Sequence, residues 1–125
     1  MRQYRGIRKD NGEWAKGWYL EEEDAHYNTY PVIVWGRHHE VIPETVGQST
    51  GLLDKNGLEA YRDDIVEDIP QQLWIVAWSD EDAAFVLILA GRTIEDAYED
   101  EIEHISEIVN MIIRGNIHTT PELLE

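Results

Sequence analysis

Short apolar runs separated by polar turns predict that this chain is built mainly from β-strands. Near the N-terminus, Gln3–Arg8 and Glu13–Leu20 flank Asp10-Asn11-Gly12. An Asn-Gly pair favours a β-hairpin because both residues tolerate a positive φ. Two further runs, Pro31–Trp35 and His38–Ile42, are separated by a glycine and predict a second antiparallel pair.

The middle of the chain contains its clearest hairpin, which spans residues 73–89. Leu73–Trp78 and Ala83–Leu89 are almost entirely apolar, and the polar segment Ser79–Asp82 joins them. Strands without polar alternation are typical of sheets that are covered on both faces. We therefore expect both faces of this hairpin to be buried.

The pattern changes after Gly91, where apolar residues recur at helical spacing. They are Ile94, Tyr98, Ile102, Ile105 and Val109. The intervening positions are rich in acidic residues, so the sequence predicts one acidic amphipathic helix near 93–108. At the C-terminus, Thr120 followed by Pro121 predicts a short helical turn, because proline suits the first helical position.

Together these elements predict an α+β fold. Most of the chain would be short antiparallel strands forming a bent sheet or a small barrel, with the acidic helix and the C-terminal turn added. A length of 125 residues is that of one ordinary domain, so we expect a single domain over 1–125. Its parts would be the basic hairpin 1–20, a central region 41–68 and the apolar hairpin 73–89.

The net charge of −16 is distributed unevenly. Residues 1–20 carry five basic and two acidic side chains, a net of +3, whereas residues 21–125 have a net of −19. Such a field repels phosphate backbones, so direct nucleic-acid binding is not expected, whereas a basic protein partner is compatible with it.

Other features of the composition limit the compartment and the chemistry. The chain has no cysteine, which excludes disulfides, thiolate metal sites and cysteine catalysis. The start of the chain lacks the apolar stretch of a signal peptide, and no apolar run approaches the roughly 20 residues that span a bilayer. We therefore expect a cytoplasmic protein with no membrane contact.

Several segments, taken in order, resemble the YopX-like family of phage and prophage proteins. They are residues 5–14, 41–48, 50–52, 54–57, Tyr61, 64–66, 115–117 and 121–124. The resemblance implies a phage or prophage origin, a location in the bacterial host cytoplasm and a homo-oligomer, but no established reaction. The family usually has a glycine where Asp63 stands, so we expect an ordinary φ at Asp63.

Seven residues are candidates for partner binding. On the N-terminal hairpin, tryptophan and arginine lie close together, and both residue types are enriched at interface hot spots. On the predicted helix, exposed carboxylates form a second candidate surface. The seven residues are Arg5, Arg8, Trp14, Trp18, Glu99, Asp100 and Glu103.

One residue pair suggests a metal site. His38 and Glu40 would lie on the same face of a strand, where the two side chains could share an ion. No further ligand stands at a motif spacing, so we expect no metal and no other cofactor. Asp54-Lys-Asn-Gly57 does not match an EF-hand calcium loop, in which the glycine stands at the sixth position and not, as Gly57 does, at the fourth. The segment predicts a tight turn instead.

Three hypotheses for function follow from these patterns. The first is a non-catalytic module that associates with itself, the basic hairpin docking on an acidic face of another copy. The alternative is an acidic decoy that mimics DNA phosphates and captures a host nucleic-acid-binding protein. The weakest is a small-molecule or metal-binding enzyme that uses His38 and Glu40. We expect the protein not to be an enzyme.

Overall fold

The computed structural model describes residues 3–125, and the chain divides between Ser49 and Thr50 into two compact units. Strands account for 49% of the chain and helix for 13%, and no described helix reaches seven residues. The fold is therefore mainly β, and the predicted α+β class is wrong. The strands form two antiparallel sheets, one of six and one of five strands.

The first unit contains four complete strands and the start of a fifth. They are β1 (Tyr4–Ile7), β2 (Trp14–Glu23), β3 (Thr29–Trp35), β4 (Arg37–Glu40) and β5 (Gly47–Leu53), with a 3₁₀ helix at Pro43–Thr45. β1 pairs with β2 across the Asn11-Gly12 turn, and β4 pairs with β3 across Gly36. The small core of this unit consists of buried Ala15, Ile33 and Val41.

The second unit contains the remaining strands. They are β6 (Glu59–Tyr61), β7 (Asp64–Glu67), β8 (Leu73–Ser79), β9 (Ala84–Leu89), β10 (Ile102–His104) and β11 (Ile112–Asn116). The five-stranded sheet has the order β10-β9-β8-β7-β11, and the six-stranded sheet has the order β4-β3-β2-β1-β5-β6. Three further 3₁₀ helices lie at Glu99–Glu101, Ile105–Asn110 and Pro121–Leu124.

The apolar hairpin β8–β9 is the centre of the five-stranded sheet. Trp74, Val76, Phe85 and Leu87 are buried in the main core cluster of the second unit. The next residues along each strand point to the other face, where a row of isoleucines runs across four strands. These residues, directly opposite one another in register, are Ile65, Ile75, Ile88 and Ile102.

The predicted acidic amphipathic helix over 93–108 does not form. Residues 93–98 form turns, and β10 then pairs with the edge of β9 before a 3₁₀ helix begins at Ile105. A helix here would have placed Glu95, Glu99, Glu103 and Glu107 in successive i, i+4 pairs of like charge, each of which destabilises a helix. Strand pairing instead places half-buried Ile102 opposite buried Ile88.

One turn geometry occurs three times, beginning at Asp24, Asp54 and Asp68. In each, the Oδ1 atom of the aspartate accepts the amide hydrogen of the residue four positions later, at 2.8 to 3.0 Å. The residue three positions after the aspartate has a positive φ of 64°, 84° or 76°. These residues are Tyr27, Gly57 and Gln71.

Candidate partner-binding surfaces

Arg5 belongs to the interior of the N-terminal hairpin rather than to its surface. Its side chain is 8% exposed, and Cζ lies 4.1 Å from the centroid of the Trp14 ring. The pairings Arg5–Lys16 and Ile7–Trp14 place Arg5 and Trp14 on the same face of neighbouring strands. This cation–π contact occupies Arg5 within the protein, and a partner would meet only the partly exposed edge of Trp14.

Two other basic residues of the hairpin, Arg8 and Lys9, face carboxylates. Arg8 Nη2 lies 2.6 Å from Asp10 Oδ2, and Lys9 Nζ lies 2.9 Å from Glu40 Oε2. The hydrogen bond between Arg8 and Asp10 raises the pKa of the guanidinium and lowers the pKa of the carboxyl group. The positive charges of Arg8 and Lys9 are therefore balanced by carboxylates of the same unit.

Trp18 is the predicted residue of this hairpin that remains on the surface. It is 44% exposed and pairs with Val34 on β3. Trp35, the last residue of β3, is 68% exposed and was not among the residues predicted from sequence. Both tryptophans are therefore accessible on the surface of the first unit.

His38 and Glu40 have different partners. His38 Nδ1 lies 2.7 Å from Glu22 Oε2, whereas Glu40 contacts Lys9. Desolvation, together with the nearby carboxylates of Glu22 and Glu40, raises the pKa of Tyr30. Within residues 3–125 no group of three histidines or carboxylates is arranged to hold a metal ion.

The three predicted acidic residues do not share one surface. Glu99 and Asp100 are exposed in the 3₁₀ helix after Tyr98, where the Glu101 side chain accepts the Tyr98 amide hydrogen at 2.9 Å. Glu103 lies on β10 opposite Leu87, on the same side of the sheet as the main core. The predicted helix, which would have placed Glu99, Asp100 and Glu103 on one surface, does not form.

Glu103 lines a pocket of about 240 Å³ at the edge of the core of the second unit. Its floor contains the buried residues Trp74 and Met111, and carboxylates of Asp68 and Glu107 complete the wall. Asp68 Oδ2 accepts the Trp74 indole hydrogen at 2.9 Å, which fixes both side chains. The pocket therefore combines an apolar floor with a negatively charged wall.

Several residues that carry the family resemblance have structural contacts. Asp54 Oδ2 accepts the Ile113 amide hydrogen at 2.9 Å, and Asp64 is buried with Oδ2 2.8 Å from the Tyr61 amide nitrogen. Asn116 Nδ2 donates to Asp64 Oδ1 at 3.3 Å. A side chain at Gly115 would collide with Thr120 Oγ1. These contacts join separate segments of the second unit.

The expectation for Asp63 is wrong, because this residue has a φ of 73°. Its amide donates to the Val76 carbonyl at 2.8 Å, and its carbonyl accepts from the Ile117 amide at 3.1 Å. His118 Nε2 lies 3.0 Å from the Asp63 carboxylate. Contacts on both sides therefore hold a conformation that side chains normally avoid. Sequence reasoning missed both Asp63 and His118 as interacting residues.

Comparison with solved structures finds a similar fold over the whole chain. The crystal structure of protein EF1440 from Enterococcus faecalis aligns with a TM-score of 0.55 and 22% sequence identity. The alignment covers 100% of this chain and 99% of that one. None of the curated proteins compared with the chain matches it. None of the described helices has the length and apolar character needed to cross a lipid bilayer.

A family model described as YopX protein matches residues 3–125, nearly the entire chain. The matched range includes both compact units and all the segments on which the resemblance rests. The chain belongs to the YopX protein family.

Proposed function

We propose that this protein is a phage-encoded, non-catalytic interaction module whose second unit binds a basic segment of a partner protein. The supporting observation is the pocket at Trp74 and Met111, where Asp68, Glu103 and Glu107 surround an apolar floor. The carboxylates of Glu103 and Glu107 make no ion pair with any residue in 3–125. They are therefore available to a cation from outside.

A lysine or arginine side chain has the matching chemistry. Its aliphatic stem buries apolar surface while its charged head stays near polar groups, so the stem would lie on Trp74 and Met111. The head would reach Glu103 and Glu107. Ile69, which is 82% exposed at the rim, offers apolar contact to the residues beside it. The net charge of −19 beyond residue 20 would speed the approach of a basic segment.

Self-association is one form of this function, in which the basic segment belongs to a second copy. The charge difference between residues 1–20 and the rest of the chain motivates it. Arg8 and Lys9 already face carboxylates, so their use would require exchanging those partners. The geometry therefore favours a basic segment of a different protein. Sedimentation at low salt and high concentration tests the alternative, and a strictly monomeric protein would exclude it.

The decoy hypothesis is supported by a different part of the acidic surface. Glu99 and Asp100 are exposed and lie outside the pocket at Trp74. A DNA mimic depends on many carboxylates spread over a surface, whereas the pocket hypothesis depends on two at one place. The two hypotheses therefore predict different effects of neutralising single pairs.

Two charge-matched double variants distinguish them. Glu103→Gln with Glu107→Gln removes two charges from the pocket, and Glu99→Gln with Asp100→Asn removes two outside it. A labelled peptide containing alternating lysine and glycine, titrated at moderate salt, reports affinity. We expect at least a tenfold loss for the pocket pair and less than a twofold loss for the other. Equal losses would contradict a pocket.

Capture from host lysate over a salt series then addresses the partner. Retention of a host protein by the wild type and its loss with the pocket variant would support the proposal. The decoy would be favoured instead if the captured protein binds nucleic acid, if both double variants retain less of it to the same extent, and if added duplex DNA displaces it from the wild type.

A further inference from the structure

A second pocket lies on the other face of the five-stranded sheet and is lined by two arginines. Trp74 lines the first pocket and Ile75 lines this one, and neighbouring strand residues point to opposite faces. The volume is about 200 Å³, and the floor consists of Ile75, Ala77 and Ile88. Arg62 and Arg92 stand at its wall.

Two arginines in one pocket are unusual in this chain, because residues 21–125 contain only five basic side chains. Arg62 is exposed and makes no ion pair with any described residue. Arg92 donates its Nε hydrogen to Glu101 Oε2 at 2.9 Å, and its Cζ lies 5.5 Å from the Tyr98 ring centroid. Arg92 is thus held in position while its guanidinium retains further donors.

The carboxylate of Asp63 also lines this pocket, and it is directed toward His118 at 3.0 Å. The left-handed backbone of Asp63 is held by Val76 and Ile117. A strained residue kept in place by contacts on both sides is typical of functional sites, although such strain alone assigns no ligand.

A neighbouring pocket adjoins the arginine-lined pocket and contains acidic residues. The two share Arg62, Trp78 and Ile94, so they adjoin. The neighbouring pocket adds the acidic residues Asp80, Glu81 and Glu95 and has a volume of about 620 Å³. Together the two pockets form a groove lined by two arginines, by apolar and aromatic side chains, and by acidic residues.

We propose that this groove binds the free C-terminal end of a peptide. The terminal carboxylate lies between Arg62 and Arg92, which are suited to planar anions. The apolar last side chain rests on the isoleucine floor, which is of a size to hold one such side chain. A lysine or arginine upstream reaches Asp80, Glu81 and Glu95. A small free carboxylic acid would use only the arginines and the floor.

Peptides with and without a free C-terminus test this site. A dye-labelled hexapeptide Gly-Ser-Gly-Lys-Lys-Leu with a free carboxylate is titrated by fluorescence polarisation beside its C-terminal amide and N-acetyl-leucine. Peptides ending in valine, isoleucine and phenylalanine extend the panel. We expect at least tenfold weaker binding for the amide and for N-acetyl-leucine, with quenching of Trp78 fluorescence only on productive binding.

Variants identify the residues responsible. Arg62→Gln is expected to weaken the free-acid peptide at least fivefold, whereas Arg114→Gln, which removes an equal charge paired with Glu67, should leave binding unchanged. Trp78→Phe should remove the change in tryptophan fluorescence that accompanies binding. The Glu103→Gln, Glu107→Gln protein should bind the free-acid peptide normally, so this site is tested independently of the acidic pocket.

Three outcomes would overturn the proposal. Equal affinity for acid and amide would show that the arginines do not recognise the carboxylate. Equal affinity for N-acetyl-leucine would show a small-molecule site instead of a peptide site. A Kd weaker than about 1 mM for every free-acid peptide in the panel would show that the groove does not bind C-termini at all.

Discussion

The turns that begin at Asp24 and Asp54 have the same local hydrogen bonds and different roles. In each, Oδ1 accepts amide hydrogens from the residues two and four positions later. Asp24 is exposed and its carboxylate serves only its own turn. Asp54 is 5% exposed, and its second oxygen accepts from Ile113 on β11. The same local signal is a surface turn in one unit and a tertiary link in the other.

The comparison explains why the central segment matters for the fold of the second unit. The Lys55 amide donates to the Met111 carbonyl at 2.8 Å, beside the Asp54–Ile113 bond. Two hydrogen bonds thus join the turn to the segment that carries the floor of the acidic pocket. A change at Asp54 would therefore reach a proposed binding site without touching a ligand.

The largest expected difference is between Asp54→Ala and Asp24→Ala. Removing the Asp54 carboxylate leaves three amide hydrogens without their acceptor, one of them on β11, and should cost about 3 kcal/mol of unfolding free energy. Asp24→Ala should cost clearly less, because water can replace the exposed carboxylate. Urea denaturation measures both. Equal losses would show that the link to Ile113 contributes nothing.

The next largest effect is expected at Gly57, the residue with a positive φ in the turn that begins at Asp54. Gly57→Ala meets no atom within 4 Å, so only the backbone conformation at φ 84° opposes the new side chain. We expect a loss of about 1 kcal/mol, the usual cost of placing an L-residue in the left-handed region. Thermal unfolding with Gly12→Ala as a second exposed turn glycine provides the comparison. An unchanged melting temperature would mean that this turn tolerates strain.

The reciprocal change at the first turn should stabilise the protein slightly. Tyr27 has a φ of 64° and is 83% exposed, so its side chain gives little burial in return for the strain. Tyr27→Gly should raise the unfolding free energy by about 0.5 kcal/mol, because relief of strain slightly exceeds the added flexibility of the unfolded chain. A loss of stability would indicate that the tyrosine has a packing role.

The smallest effect is a pH dependence specific to Asp24. Hydrogen bonds from the Asn28 and His26 amides lower the pKa of this carboxyl group in the folded protein. Its contribution to stability is therefore present above about pH 4 and is lost as the pH falls through the lower folded-state pKa. Asp24→Asn should lower stability at pH 6 and converge with the wild type near pH 2.

Glu81→Gln serves as the control, because it removes one exposed acidic charge without a hydrogen bond to the backbone of a turn. A constant difference between Asp24→Asn and the wild type from pH 6 to pH 2 would contradict a role for the charge.

Local patterns predicted the hairpins well because they depend on neighbouring residues. Asn11-Gly12 joins β1 to β2, and the polar loop after Trp78 joins β8 to β9. The segment 93–108 was mistaken for a helix because Ile94, Ile102 and Ile105 also match the spacing of a helix face. The available edge of β9 decided against that pattern, and an edge strand cannot be recognised from the segment alone.

The candidate sites were less predictable than the strands. Tryptophan and arginine near the N-terminus suggested a binding face, but Arg5 and Trp14 use each other as partners. Arg62 and Arg92 stand 30 positions apart in the sequence and line the same pocket because β7, β8 and β9 pair in register. Nothing in either residue's neighbourhood predicts the other.

The sequence by itself determined the family, the hairpin turns, the position of the apolar centre and the separation of charge. These depend on composition, or on contacts between residues close together in the chain. The tertiary structure decided which strands became neighbours, which tryptophans stayed exposed, and which charges met in pockets. Those outcomes depend on pairing between distant segments, where burial and strand hydrogen bonds outweigh the weak preference of any single segment.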